Sequence, residues 1–349
     1  MTRLSELGES HIISRVLTRN PEPAHVIVGP GDDAAVTAPE GRLVSTADML
    51  VENEDFTRDW LDWELLGRKA AAQNLADVCA MGATPHGLLV SLAVPNDTDI
   101  TDIEALYSGL FEEAERAGTA LECTVPIIGG DLSSSKLIVI AITALGTVQE
   151  DSATLRSGAR PGDSLYLAGT VGRAAAGLDL LFAGLRRDTA GPELRSLIDT
   201  QLAPQPDYGA LRTLGTASAM IDVSDGLSLD LARVAAASGV GIDLERALLD
   251  DLVDPLLPAA EYVLDSRAKG VSGDAEGVAD SANGPVMTAE DLALSWVLDG
   301  GEDHGFAASA SPRQDPGVGW RRIGEIRTGH DVSLDGTPVP ASGFSHFGK

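Results

Sequence analysis

The sequence predicts two domains, each built from both strands and helices, and three observations lead there. At 349 residues the chain is long for one hydrophobic core, since single cores stop growing near about 250–300 residues. Apolar β-branched runs such as 137–148 alternate with Ala- and Leu-rich stretches whose apolar residues recur at helical spacing. Between the halves lies a polar run with Gly and Pro at 151–161, which sets the boundary between a domain at 1–150 and one at 151–349.

Hydrophobic residues make up 44% of the chain but aromatics only 4%, so the cores must be aliphatic. No run approaches the roughly 18 apolar residues of a membrane span. The opening residues, Met1 to Glu6, lack the basic and apolar segments of a secretory signal, so a cytoplasmic protein is expected. Cys79 and Cys123 sit in apolar surroundings without C-x-x-C spacing, the pattern of buried thiols in a reducing compartment. The 53 acidic residues outnumber 25 basic ones, for a net charge of −28. That excludes nucleic acid as a general partner, because phosphate backbones need a basic footprint. An anionic ligand must instead be met by metal ions and local arginines. None of the four lysines is followed by Ser or Thr, so there is no Walker A loop, and no kinase H-R-D motif occurs.

In chain order, residues 4–19 read as a helix with Leu4, Leu7, Ile12 and Val16 near one stripe. A short strand at 26–28 enters the turn Gly29-Pro30-Gly31, which delivers Asp32 and Asp33. Adjacent residues of extended chain point to opposite faces, so the two carboxylates serve different tasks. Close-approaching glycine backbone beside hard oxygens suits a magnesium–phosphate site, and it is also ordinary turn chemistry. The strand at 43–51 carries Ser45, Thr46 and Asp48. Residues 62–80 form a helix capped by Asp62 and ended by Gly82, with Asn74 and Asp77 as polar interruptions of a packable face. Buried polar groups need partners, and a metal would supply one.

A strand at 86–94, an amphipathic helix at 102–117 and a strand at 124–128 lead to Gly129-Gly130-Asp131. After the boundary, with Arg156 and Arg160, come a strand at 164–168 and the turn Gly169-Thr170-Val171-Gly172 into a helix at 173–184. That turn has the form of a phosphate-binding helix start, but such short glycine patterns are common, and a structural strand-to-helix turn is the better account of it. Residues 186–206 read as a polar connector. A strand then presents Asp222, Ser224 and Asp225 before a helix reaching Ser238, and a strand follows at 239–244. Residues 265–285 are small, polar and acidic, as in a mobile insertion. A helix at 288–298 runs into the turn Gly300-Gly301-Glu302-Asp303-His304-Gly305-Phe306, and a strand at 324–326 precedes the tail.

Glycine-flanked or strand-end carboxylates thus recur at Asp32, Asp33, Asp48, Asp77, Asp131, Asp222, Asp225 and Glu302. Converging carboxylates repel unless cations sit between them, and oxygen-only ligands favour magnesium or calcium.

The ordered set G-D-D-A-A, S-T-x-D-M-L-V-E, N-L-A-D-V-x-A-M-G-A, I-G-G-D, T-L-R-S-G-A-R-P-G-D, I-D-V-S-D-G-L and G-G-E-D spans nearly the whole chain and resembles the thiamine-monophosphate kinases. These belong to the superfamily typified by aminoimidazole ribonucleotide synthetase. The resemblance implies an α/β N-terminal domain whose strands build a dimer barrel, and an α+β C-terminal domain closing a cleft. It implies a cytoplasmic homodimer that uses ATP and several Mg2+ ions to phosphorylate thiamine monophosphate to thiamine diphosphate, the last step in making that cofactor. By motif position, Asp33, Thr46, Asp48, Asp77, Asp131, Asp222 and Asp225, with Ser45 as a further one, would ligate metal. Gly130, Asp131, Arg156 and Ser224 would meet ATP; Asp55, Glu302 and Phe344 would meet thiamine phosphate; Asp33, Asp225 and Arg156 would carry catalysis. The nucleophile, a phosphate oxygen with a second pKa near about 6, needs no strong general base, and direct in-line transfer is expected.

Three positions depart from the family pattern. Ala47 stands where a hydroxyl residue is common, Asp55 where a His is common, and Gly305-Phe306 replaces the usual continuation of G-G-E-D. Two rivals remain at this stage. A superfamily member that uses ATP to activate an amide would share the motifs. A non-catalytic acidic metal-binding protein would need neither Arg156 nor the ordered set.

Overall fold

The computed structural model of the protein describes residues 2–149, 153–270 and 287–344. The chain divides into two units, Met1–Thr154 and Leu155–Lys349.

In the first unit the expected N-terminal helix is broken. A 3-10 turn at Leu4–Glu6 is followed by α1 (Glu9–Val16) and a second 3-10 turn at Leu17–Arg19. Gly8, in extended conformation, is the N-cap that separates the pieces. A small hairpin, β1 (Val26–Val28) with β2 (Val36–Thr37), carries the Gly-Pro-Gly-Asp-Asp turn. The main elements follow: β3 (Arg42–Val51), α2 (Trp63–Ala80), β4 (Thr84–Val94), α3 (Ile100–Leu121), β5 (Ile127–Ser134) and β6 (Val139–Val148). The sheet order is β3-β6-β4-β5, antiparallel except for the parallel pair β4–β5. Helix α2 begins where predicted, with the Asp62 carboxylate accepting the Leu65 N–H at 2.8 Å. It lies on β3, β6 and β4, and α3 packs beside it. At the helix crossing the backbones touch: a Cβ on Gly109 would stand 1.9 Å from the Glu64 carbonyl oxygen, and one on Gly67 2.0 Å from that of Leu106.

The second unit contains β7 (Ser164–Ala168), α4 (Arg173–Phe182), α5 (Pro192–Leu202), β8 (Ala219–Val223), α6 (Leu227–Ser238), β9 (Gly241–Leu244), α7 (Asp250–Val253), α8 (Leu257–Ala268), α9 (Ala289–Asp299), β10 (Gly305–Ala310), β11 (Trp320–Arg327), β12 (Val332–Leu334) and β13 (Thr337–Pro338). Its seven strands run in the order β13-β12-β9-β11-β7-β10-β8, antiparallel apart from β9–β12. Every residue of the inner strands β7, β9 and β10 and of the edge strand β8 is buried, so both faces of these strands are covered.

Several expectations are corrected. Residues 186–206 are not a connector throughout, because Pro192 starts α5 and Leu197, Ile198 and Leu202 bury one side of it; Pro is well suited to a first helical position. Gly129-Gly130-Asp131 lies inside β5 rather than after a strand. Gly130 has φ +152, and a Cβ there would stand 1.9 Å from the Val90 carbonyl oxygen. The segment assigned to a mobile insertion begins as helix, since α8 extends to Ala268; residues 271–286 lie outside the described residues. The Gly300–Phe306 turn ends early, because Gly305 already opens β10. No helix among the described residues is long and apolar enough to cross a membrane.

Gly109→Ala should therefore lower the unfolding free energy by about 1–3 kcal/mol, the usual range for overpacking, in urea denaturation. An exposed Gly184→Ala control bears the separate strain of a positive φ but meets no atom within 4 Å.

Candidate functional site

In the first unit the candidate donors line the junction of β3 and α2. Thr46 and Asp48 share a face of β3, two residues apart. The Thr46 hydroxyl donates to Asp77 Oδ2 at 2.7 Å, and the Asp48 N–H donates to Asn74 Oδ1 at 3.0 Å. Asn74 and Asp77 sit one turn apart on α2. Asn74 is held in turn by its own donation to the Ala70 carbonyl at 2.9 Å. The polar interruptions of α2 therefore meet the hydroxyl–carboxylate strand, which gives them protein partners where the sequence suggested a metal. Strand alternation puts Ser45 and Ala47 on the opposite, exposed face, so Ser45 is not gathered with Thr46.

Asp32 and Asp33 differ in their hydrogen bonding. Asp32 Oδ1 accepts the Asp33 N–H at 2.8 Å and shapes the turn, while the exposed Asp33 carboxylate makes no hydrogen bond among the described residues. Asp131 is exposed and registers with Ser91 of β4. Asp55 closes its own turn, with Oδ2 accepting the Val51 N–H at 2.7 Å.

In the second unit three segments converge on the loop between β8 and α6. The Glu302 N–H donates to the Ser224 carbonyl at 2.8 Å, and the Phe344 N–H to the Asp225 carbonyl at 3.0 Å. A Cβ on Gly301 would stand 2.3 Å from the Ser224 oxygen, and one on Gly343 2.3 Å from the Asp225 oxygen. The glycines are there for close approach, which brings Ser224, Asp225, Glu302 and Phe344 together. Glu302, at φ +68, receives the Gln201 amide of α5 on Oε2 at 2.6 Å. The buried Asp222 meets His304 Nδ1 at 3.3 Å.

Beneath the loop lies Asp230, which reading the sequence overlooked. Its Oδ2 accepts the N–H groups of Ser224 at 3.1 Å and Asp225 at 3.0 Å, and Arg233 pairs with both Asp230 and Asp225. Burial pushes the Asp230 carboxyl up to about 6, against the opposing pull of the Asp225 amide and Arg233. The spacing of Asp230 and Arg233 at i,i+3 behind Asp225-Gly226 was the available signal.

Arg156 is not brought to this cluster. Ser238 Oγ, at the far end of α6, donates to the Arg156 carbonyl at 3.0 Å and accepts the Gly158 N–H at 3.1 Å. Asp225 precedes the N-terminus of the same 12-residue helix, about 18 Å away along its axis.

The Gly169–Gly172 turn is not an open anion site. The buried Asp303 carboxylate occupies it, accepting from Thr170 Oγ1 at 2.7 Å and the Ala174 N–H at 2.8 Å. Burial raises the Asp303 carboxyl above its ordinary range, with the helix amides opposing. Cys79 is buried and Cys123 half-buried; both are free thiols held up by burial.

Residues 31–148 match the family model described as AIR synthase related protein, N-terminal domain. A thiamine-monophosphate kinase from Mycobacterium tuberculosis is 38% identical over 358 residues, covering 99% of this chain and 93% of that protein. The chain belongs to the thiamine-monophosphate kinase family. The thiamine-monophosphate kinase structure from Stenotrophomonas maltophilia K279a aligns with a TM-score of 0.75 at 30% identity, over 95% of this chain and 98% of that one. AaThiL complexed with AMPPCP and TMP aligns with a TM-score of 0.70 at 29% identity, over 99% of both chains. The architecture is the aminoimidazole ribonucleotide synthetase-like fold that the motifs implied.

The candidate donors suit the magnesium that the resemblance implies. All are oxygens, as magnesium prefers, and a guanidinium stands at Asp225 where a cation is wanted. Among the described residues no three His, Cys, Asp or Glu side chains gather closely enough to hold a metal by themselves. That is compatible with magnesium, which is commonly held by one or two carboxylates together with substrate phosphates and water.

Asp303→Ala should lower the unfolding free energy by about 1–2 kcal/mol through loss of the α4 cap, and Asp303→Asn by less, both by urea denaturation. Wild-type stability in both variants would remove this role.

Proposed function

We propose that this chain transfers the γ-phosphoryl group of ATP to the phosphate of thiamine monophosphate, giving thiamine diphosphate and ADP. The observation that carries the reading is the match to a thiamine-monophosphate kinase over 99% of the chain. The neighbour AaThiL, complexed with AMPPCP and TMP, supports both substrates. A phosphate oxygen of thiamine monophosphate attacks the γ-phosphorus in line, forming one P–O bond as the bond to the β-phosphate oxygen breaks and ADP leaves.

In this reading Asp33, Thr46, Asp48, Asp77, Asp131, Asp222 and Asp225 hold magnesium ions. When bound, these ions supply charge neutralisation and alignment of the two phosphates. The protein's own part is to keep the donors in place. Asp77 orients the Thr46 hydroxyl, Asn74 anchors the β3 backbone at Asp48, and Asp230 fixes the amides of Ser224 and Asp225. Gly130, Asp131, Ser224 and Arg156 serve ATP, Arg156 by a contact separate from the Asp225 cluster. Glu302 and the exposed Phe344 ring suit the cationic thiazolium by charge and by stacking. With Asp55 bonded to its own turn, its contact with substrate is the weakest of those the resemblance implies.

The homodimer belongs to the same proposal. Leu43 and Met49, on the face of β3 away from α2, are each 54% exposed, and a second copy of this chain is the occupant that the family's dimer barrel implies. Met49→Asp should shift the protein to monomer in sedimentation equilibrium, with wild type remaining dimeric.

The test of the reaction is ADP release from ATP and magnesium with and without thiamine monophosphate. Release should require thiamine monophosphate and yield thiamine diphosphate. It should drop on the order of a hundredfold or more in Asp225→Asn and Asp33→Asn, the scale set by losing one transition-state charge partner. Equal release without thiamine monophosphate would overturn the assignment.

A further inference from the structure

The first turns of α6 and the loop before it hold two carboxylates around one guanidinium. Arg233 Nη1 lies 2.5 Å from Asp230 Oδ1 and Nη2 lies 2.7 Å from Asp225 Oδ2. The two contacts differ in surroundings. The Asp230 side chain is 0% exposed, whereas that of Asp225 is 30% exposed and that of Arg233 37%. Asp230 also carries the Ser224 and Asp225 amides, so its pairing with Arg233 is built into the loop. The Asp225 contact faces solvent, where an ion pair is weak and easily exchanged.

We propose that Arg233 is a displaceable counter-ion: anchored on Asp230, it neutralises Asp225 when no metal is bound and competes with the metal for that carboxylate. The proposal rests on reading Asp225 as a metal ligand. A guanidinium stays charged at any working pH. A cation arriving at Asp225 must therefore break the Nη2 contact and tolerate a fixed positive charge nearby. The exchange costs little structure, because Nη1 keeps its partner and Asp230 keeps both amides. Arg233 is thus a positioning residue that lowers metal affinity in the resting enzyme, and it suppresses self-repulsion among Asp222, Asp225 and Asp230.

The test is Mn2+ binding to the full chain without nucleotide, read by electron paramagnetic resonance of the free ion. Arg233→Met, which keeps the length of the stem without the charge, should bind Mn2+ about three- to fivefold more tightly than wild type, the factor lost when one half-exposed ion pair no longer competes. Arg233→Lys, too short to span both carboxylates, should fall between the two, and it serves as the test if the Met variant does not fold. Affinity equal to or weaker than wild type in a folded variant overturns the proposal. Asp225→Asn separates the two levels of the argument. If it leaves Mn2+ binding unchanged, Asp225 is not a ligand and both readings fall. If it weakens binding while the Arg233 variants match wild type, only the counter-ion role falls.

Discussion

Asp230 receiving the amide hydrogens of Ser224 and Asp225 is the contact on which the second unit's candidate site depends. A buried carboxylate is tolerable only when its lone pairs are used, and here two amides and Arg233 use them. The loop so fixed offers its carbonyls outward, where the backbones of Glu302 and Phe344 donate to them. Gly301 and Gly343 allow that approach because any side chain would collide with the carbonyl oxygens. One buried acid thereby organises three distant stretches of sequence.

The first unit solves the same problem with a helix. Because α2 lies against β3, Asn74 and Asp77 meet the Asp48 amide and the Thr46 hydroxyl. The apposition of α2 and α3 depends on glycine backbones in direct contact at Gly67 and Gly109. Packing and chemistry are coupled here, since the helix whose residues fill the core also carries the polar groups facing the strand.

Much was legible along the chain where a local rule and a tertiary outcome agree. The Asp62 cap, the length of α2 and its two polar interruptions followed from helix periodicity, and the structure pairs those interruptions with β3. Asp32 and Asp33 differ in their bonding, but they lie in the turn between β1 and β2, where strand alternation does not apply. What stayed hidden in the sequence shares a different cause. The Gly169–Gly172 turn has the form of an anion site, yet its anion is Asp303, contributed from more than a hundred residues away. The α5 helix looked like a connector because its polar residues outnumber the few apolar ones that make its buried side.

The sequence by itself determined the ordered carboxylate and glycine motifs, the aliphatic cores and hence the family, since these depend on residue type and spacing alone. Tertiary structure decided which carboxylates stay open to solvent and which are tied into the loop's own hydrogen bonds. Asp225 and Asp230 are five residues apart and chemically identical, but one faces solvent and the other lies beneath the loop with its oxygens bonded. Burial and the hydrogen bonds that compensate it depend on segments distant in sequence, and no local pattern encodes them.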